Sequence, residues 1–168
     1  MTSQEIFTSA LVYERKIRDL YRQAVTVIDD RRGRQIFDAL ARDEQSHVDF
    51  LEYSLEQLKK NDNIDIEKLQ TPIPTRKQIE ADVDKLRTAI PEKMLGDVKR
   101  VLASALKLEK ETSAFYRDAC AKTEGEIESI LKKFLDIEER HVDVVQIELD
   151  HASNSGLWFN FMEVDLEA

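Results

Sequence analysis

The chain has 168 residues, 42% hydrophobic and 35% charged, with 34 acidic against 25 basic side chains and a formal net charge of −9. That length suits one domain with a sizeable core. The acidity argues against nucleic acid as a partner, and no stretch has the uninterrupted apolar length a membrane span requires.

Four glycines, three prolines and one cysteine, Cys120, disfavour a β-rich fold, an internal disulfide and a four-thiolate metal site. The opening MTSQEIFTSALVYERK has no basic segment leading into an apolar run, so no signal peptide is expected and the cytoplasm is the expected location.

Residues 5–28 read as an amphipathic helix. Phe7, Leu11, Ile17, Tyr21, Val25 and Ile28 recur at steps of three and four, with Glu14 as the one polar intruder. Residues 29–33, DDRRG, predict a tight reversal. A second helix is expected over 34–60, its face built from Phe37, Leu40, Leu51, Leu55 and Leu58 and interrupted by Glu44 and His47. Residues 61–75 lose the period and carry Pro72 and Pro74, so they predict a connection. A short helix is expected over 76–90, ending before Pro91.

A third long helix runs to about Lys122, with Leu102, Ala105, Glu109, Thr112, Tyr116 and Ala119 in register; 123–125, TEG, turns the chain. The fourth helix covers 126–152, its face being Ile127, Leu131, Phe134, Glu138, His141, Val145 and Leu149. Residues 1–152 therefore predict the bundle, and 153–168 an aromatic, non-helical tail that is not a domain of its own. Its stretch LWFNFMEVDL, 157–166, is too apolar to stay in water. Docking along the outside of its own bundle is the favoured expectation; exchange onto a partner subunit and docking to a separate protein are the alternatives.

The two halves repeat. LVYERKIRDLY (11–21) aligns with LKLEKETSAFY (106–116) at an offset of 95, pairing Glu14 with Glu109 and Tyr21 with Tyr116. Glu44-x-x-His47 recurs as Glu138-x-x-His141 at an offset of 94 and uses two of the chain's three histidines. Two helical hairpins joined by a long crossover make an all-α four-helix bundle.

Residues of an antiparallel hairpin share a level when their midpoint falls at the turn. The midpoint of Glu14 and Glu44 is residue 29, and that of Glu109 and Glu138 lies between 123 and 124, so each Glu-x-x-His faces a lone glutamate. That level lies about 22 Å from each turn at about 1.5 Å per residue.

Packing the hairpins brings four carboxylates and two imidazoles together. Uncompensated, the carboxylates would repel one another and take up protons; two divalent cations cancel them. Such oxygen and nitrogen donors suit iron or manganese. The expected metal-holding residues are Glu14, Glu44, His47, Glu109, Glu138 and His141, with Tyr21 and Tyr116 as neighbours of that shell. His151 falls off the face and is expected at a helix end. Cys120 is expected to be an inert small hydrophobe, and Asp43, Glu111 and Glu139 to be solvated.

Through Glu14, Glu44-x-x-His47, Glu109, Glu138-x-x-His141 and LEKETSAFY, residues 5–152 resemble the rubrerythrin-like proteins of the ferritin-like superfamily. The resemblance implies two iron ions, or manganese, with Glu44 and Glu138 bridging, Glu14 and Glu109 terminal, and His47 and His141 each on one metal. It implies oxidation of the centre by peroxide or dioxygen, in an oxidative-stress role, and a homodimer.

The sequence departs from that pattern twice. It carries no four-cysteine rubredoxin module, so a separate electron donor is expected, such as a rubredoxin-like protein or a reductase. Thr112 stands where the family places a further glutamate, three residues after the third-helix ligand. The expected activity is peroxide reduction or Fe(II) oxidation; the alternatives are iron binding, storage or detoxification without turnover, and a bundle stabilised by metal.

Overall fold

A computed structural model describes residues 1–82 and 86–164. Four long helices carry the fold: α1 (Ser3–Val27), α2 (Arg31–Lys60), α4 (Leu95–Ala121) and α5 (Gly125–Ser155). They form two antiparallel hairpins, α1–α2 and α4–α5, packed as the all-α four-helix bundle that the repeat predicts. The long crossover between them contains a short helix, α3 (Arg76–Asp82), and a strand, β1 (Arg87–Ala89). No helix among the described residues is long and apolar enough to cross a membrane.

Local chemistry sets the helix ends. At the start of α1, Thr2 and Glu5 form a reciprocal capping box: the Thr2 N–H donates to Glu5 Oε2 at 2.8 Å and the Glu5 N–H to Thr2 Oγ1 at 3.1 Å. The reversal expected at 29–33 is shorter, because Asp30 accepts from the Gly33 N–H at 2.9 Å and starts α2 at Arg31. At the end of α2, Asn61 takes the left-handed conformation, with φ 54°.

Two expectations change at the end of the bundle that holds the α1–α2 turn. Of the helix predicted over 76–90, Arg76–Asp82 is helical, residues 83–85 lie outside the described residues, and 87–89 form β1 instead. Its partner is β2 (Leu157–Phe159), antiparallel, with Thr88 opposite Trp158. A strand whose partner lies seventy residues away leaves no local periodicity to read. Likewise α5 runs three residues past 152, to Ser155, before Gly156 at φ +66° ends it.

The tail folds back over its own bundle. Trp158, Phe159 and Phe161 are buried, and the indole N–H of Trp158 donates to Asp30 Oδ2 at 2.7 Å. At about 1.5–3 kcal/mol for each large side chain buried, this docking contributes several kcal/mol. Asp165 and Leu166, the end of the predicted aromatic stretch, lie outside the described residues.

The core is divided in two. One cluster, at the end covered by the tail, gathers Ile17, Tyr21, Phe37, Leu102, Val145 and Trp158. The other, at the opposite end, gathers Phe7, Leu51, Tyr116, Leu131 and Phe134. Between them lies a band of buried polar side chains.

Candidate metal centre

That band holds Glu14 from α1, Glu44 and His47 from α2, Glu109 from α4, and Glu138 and His141 from α5, all fully buried. Each helix brings its residues inward because they occupy positions of an otherwise apolar stripe, and Glu-x-x-His places both side chains on one face a turn apart. The structure brings together all six residues singled out from sequence.

They form two overlapping sets. Glu14, Glu44, His47 and Glu138 make one, and Glu44, Glu109, Glu138 and His141 the other, with the donor atoms of each set within 4.8 Å of one another. Glu44 directs Oε2 to His47 Nδ1 at 3.5 Å and Oε1 to His141 Nδ1 at 2.6 Å. Glu138 does the same in reverse, with Oε1 3.6 Å from His47 Nδ1 and Oε2 4.0 Å from His141 Nδ1. Glu14 Oε2 lies 3.7 Å from His47 Nδ1, and Glu109 Oε1 3.4 Å from His141 Nδ1. Each shared carboxylate thus straddles the centre, and each unshared one serves a single histidine.

The two tyrosines cross between hairpins. Tyr21 of α1 donates its hydroxyl to Glu109 Oε1 of α4, and Tyr116 of α4 donates to Glu14 Oε1 of α1, both at 2.6 Å. Tyr116 takes the Glu14 oxygen that leaves Oε2 toward His47, whereas Glu109 Oε1 both accepts from Tyr21 and lies toward His141, its Oε2 remaining unpaired. Burial and the neighbouring carboxylates push both phenols well above their ordinary pKa, so each remains a donor.

Asp43 corrects the sequence expectation. It is buried rather than solvated, with Oδ2 2.7 Å from His141 Nε2 and Oδ1 3.5 Å from His47 Nε2. Thr71 in the crossover donates to Asp43 Oδ2 at 2.7 Å. One step from Glu44 does rotate Asp43 away from that residue, but Asp43 lies four before His47 and so shares its stripe; that spacing was the signal available. By contrast Glu111 and Glu139 are exposed, Glu139 pairing with Arg117 at 3.1 Å.

Asp43 therefore lies on the outward side of both rings, hydrogen-bonded to His141 Nε2 and 3.5 Å from His47 Nε2, which favours the tautomers whose Nδ1 faces inward. Burial alone would raise Asp43, but the His141 hydrogen bond, the charges of both imidazoles and Thr71 hold it below its usual value.

The rest of the cluster is electrostatically crowded. Burial pushes Glu44 up to about 8, with the Glu14 and Glu109 charges adding to it against the opposing charge of His141. Burial and the Glu14, Glu44 and Glu109 charges push Glu138 well above its ordinary value. For Glu14 burial also acts upward, but Glu44, His47 and the Tyr116 hydroxyl together hold it down at about 2. His47 would be lowered by burial; the Asp43 charge and the contacts with Glu14 and Glu44 raise it instead to about 10. His141 is likewise raised, against its burial, by Glu44, Glu109 and Asp43.

Hydrogen bonding leaves this cluster unsatisfied. Both oxygens of Glu44 and Glu138, Oε2 of Glu14 and of Glu109, Nδ1 of both histidines and Nε2 of His47 are buried with no hydrogen-bond partner. Buried polar atoms seldom go unpaired. Here the unpaired atoms are oxygen and nitrogen with no thiolate, and they belong to two sets of residues that could each hold a metal ion.

Three other residues complete the account. Thr112 is buried and turns its hydroxyl to the Leu108 carbonyl at 2.8 Å, adding no carboxylate to the centre. His151 sits in the last turns of α5, half-buried, with Nδ1 2.9 Å from the Ile147 carbonyl. Glu148, which the sequence reading passed over, is fully buried and accepts from the Phe159 N–H at 2.8 Å, tying the tail to α5. It lies two turns beyond His141, on the same stripe.

In comparisons with known proteins, the profile of the family described as Rubrerythrin matches residues 5–149. No curated protein and no solved structure matches the chain.

Proposed function

The chain belongs to the rubrerythrin family, and from that premise we propose that it is a di-iron carboxylate oxidoreductase that reduces hydrogen peroxide, with manganese as the other metal the donor set accepts. The observation carrying this reading is the straddling of Glu44 and Glu138. Each presents one oxygen to each histidine, as a pair of bridging ligands must. Glu14 with His47, and Glu109 with His141, would complete one metal apiece.

When bound, two iron ions supply two electrons to an oxidant, which takes two protons and leaves as two waters. The chain does the rest. Its six donor residues exclude bulk water, being fully buried. Asp43, on the far side of both rings, orients them so that their Nδ1 atoms face inward. Tyr21 and Tyr116 fix the rotamers of Glu109 and Glu14 and neutralise part of their charge. A surface cavity of about 730 Å³ beside α2, lined by Asp43, Ser46 and Thr71, brings solvent to within one side chain of the histidines. We place proton entry there, through Asp43.

Electrons would come from a separate donor protein, and two copies of the chain would pair; a monomer by light scattering at micromolar concentration rejects the pairing. A second reading, Fe(II) oxidation with retention of the metal, is favoured by Thr112, because no extra carboxylate waits to follow a change of redox state. The deciding experiment is the optical spectrum of the iron-loaded protein before and after one equivalent of peroxide, followed by added reductant. Repeated bleaching and recovery supports peroxide reduction. A single irreversible change supports retention, and an unchanged spectrum overturns both.

A further inference from the structure

We propose that Tyr21, Phe37 and Trp158 form a route for single electrons between the metal centre and the end of the bundle closed by β2, with Trp158 as its outer station. The inference rests on the redox reading above and asks where the electrons enter.

The rings make one continuous line. The Tyr21 hydroxyl is 2.6 Å from Glu109 Oε1. Its ring stacks on Phe37 with centroids 6.3 Å apart, and Phe37 meets Trp158 edge to face at 6.0 Å. Both separations lie within the range of direct aromatic contact. The outer end is held rigidly, because a Cβ at Gly33 would stand 2.7 Å from Trp158 Cζ2.

The chemistry at the two ends matches. A phenol or an indole that loses an electron becomes strongly acidic, so in a buried site each needs a base in contact. Tyr21 has Glu109, and Trp158 has Asp30, whose Oδ2 is 2.7 Å from Nε1 and which is itself half-exposed. Only one ring between them, Phe37, resists oxidation, and it is crossed in a single step.

The other tyrosine also has a line with a single phenylalanine, through Phe115 at 5.4 Å to Tyr13 at 4.9 Å. The Tyr13 hydroxyl, however, has no hydrogen-bond partner among the described residues and so no base to take its proton. A second line from Tyr116 runs through Phe134 at 4.8 Å and Phe50 at 5.7 Å to Tyr53 at 6.0 Å. Two phenylalanines then stand in series. The Lys68 ammonium lies 5.0 Å over the Tyr53 ring, where a positive hole is opposed rather than helped.

The steps balance as follows. One electron leaves Tyr21 for the loaded centre as the phenolic proton passes to Glu109. Trp158 then gives one electron through Phe37 to Tyr21, which recovers its proton from Glu109, while the indole proton passes to Asp30. A one-electron reductant at this end of the bundle restores Trp158. Two such passages supply the two electrons that reduce one hydrogen peroxide, with two protons, to two waters. Without a reductant, peroxide beyond the one equivalent that two Fe(II) reduce leaves the hole on Trp158, and in air the indole acquires oxygen.

The test uses the full chain loaded with two equivalents of Fe(II), given three equivalents of peroxide in air without reductant, digested, and mapped by mass spectrometry; the two Fe(II) reduce the first equivalent, and the rest must draw electrons from the chain. The expected result is oxygen added at Trp158 although that side chain is buried, with exposed Met1 serving as the monitor of oxidation from solution. The label should disappear when ascorbate is present, in metal-free protein, and in Phe37→Leu at unchanged iron stoichiometry. Freeze-quench electron paramagnetic resonance gives an independent readout: a tryptophan radical in the parent chain, a tyrosyl radical in Trp158→Phe.

Iron oxidation with Trp158 left unmodified overturns the route, as does labelling that persists in Phe37→Leu or without metal, or that collects at Tyr13 or Tyr53. Iron that peroxide fails to oxidise overturns the redox reading and the route together.

Discussion

The two hairpins are near repeats in sequence, yet they contribute unequally to the centre. Each supplies a lone glutamate, a Glu-x-x-His and a tyrosine that reaches across to the other's glutamate. Only the first hairpin supplies Asp43, and the offset of 94 puts Ile137 at the matching place on α5, buried in the apolar cluster away from the tail. What is duplicated is the donor set; what is single is the group that orients it. Charge explains the difference. One aspartate can accept from both imidazoles, while a second would add a further negative charge to a band already holding four carboxylates.

The largest effects should come from the shared carboxylates. Glu44→Ala and Glu138→Ala should each abolish the two-metal stoichiometry measured by metal analysis after desalting, and to the same degree, because these residues are equivalent in the two hairpins. Unequal loss would break the symmetry claimed here.

Asp43→Ala comes next. Removing a partner of the ligating histidines typically costs about 10–100-fold in metal affinity, and here both metals should weaken together in a competition titration. Weakening of one alone would show that the 3.5 Å approach to His47 carries no weight.

A third test uses pH. With metal removed by chelator, Glu44 at about 8 and His47 at about 10 hold protons at neutral pH. A buried acid raised above its unfolded value favours the folded state most below about 4.5 and loses that advantage as pH rises through about 8. A histidine raised to about 10 loses its contribution between about 6.5 and that value. Both signs agree. The melting temperature of the chelated protein should fall by several degrees from pH 6 to pH 9, while the loaded protein, its protons displaced by metal, should change less. A chelated protein that gains stability over this interval would refute the assignment.

Smaller still, Tyr21→Phe and Tyr116→Phe should each cost about 1–3 kcal/mol in chelated protein, the price of leaving a buried acceptor unpaired. Denaturant melts of the pair compare the hairpins directly. At the bottom of the scale, Glu111→Ala should change neither stoichiometry nor stability, since that side chain is exposed.

The donor set was legible because apolar periodicity made six polar intruders conspicuous, and the turn midpoints fixed their common level. Asp43 was hidden by counting from Glu44 instead of from His47. Glu148 was hidden by its own neighbours: Val145 and Leu149 read as the apolar stripe, and nothing local shows that a backbone N–H eleven residues on will need an acceptor. The β1–β2 pair was illegible for a similar reason, because its hydrogen bonds join segments separated by α4 and α5. Periodicity reports what faces a helix; it is silent on what the chain later lays across it.

Asp43 has one further consequence, a matter of parity. A bundle assembled from two identical hairpins about a two-fold axis can place any group at the centre only in even numbers, so this position would hold two aspartates or none. A single continuous chain is free of that restriction and can hold one. The crossover of residues 61–94, which covers so much distance to join the hairpins, is what makes an odd number available.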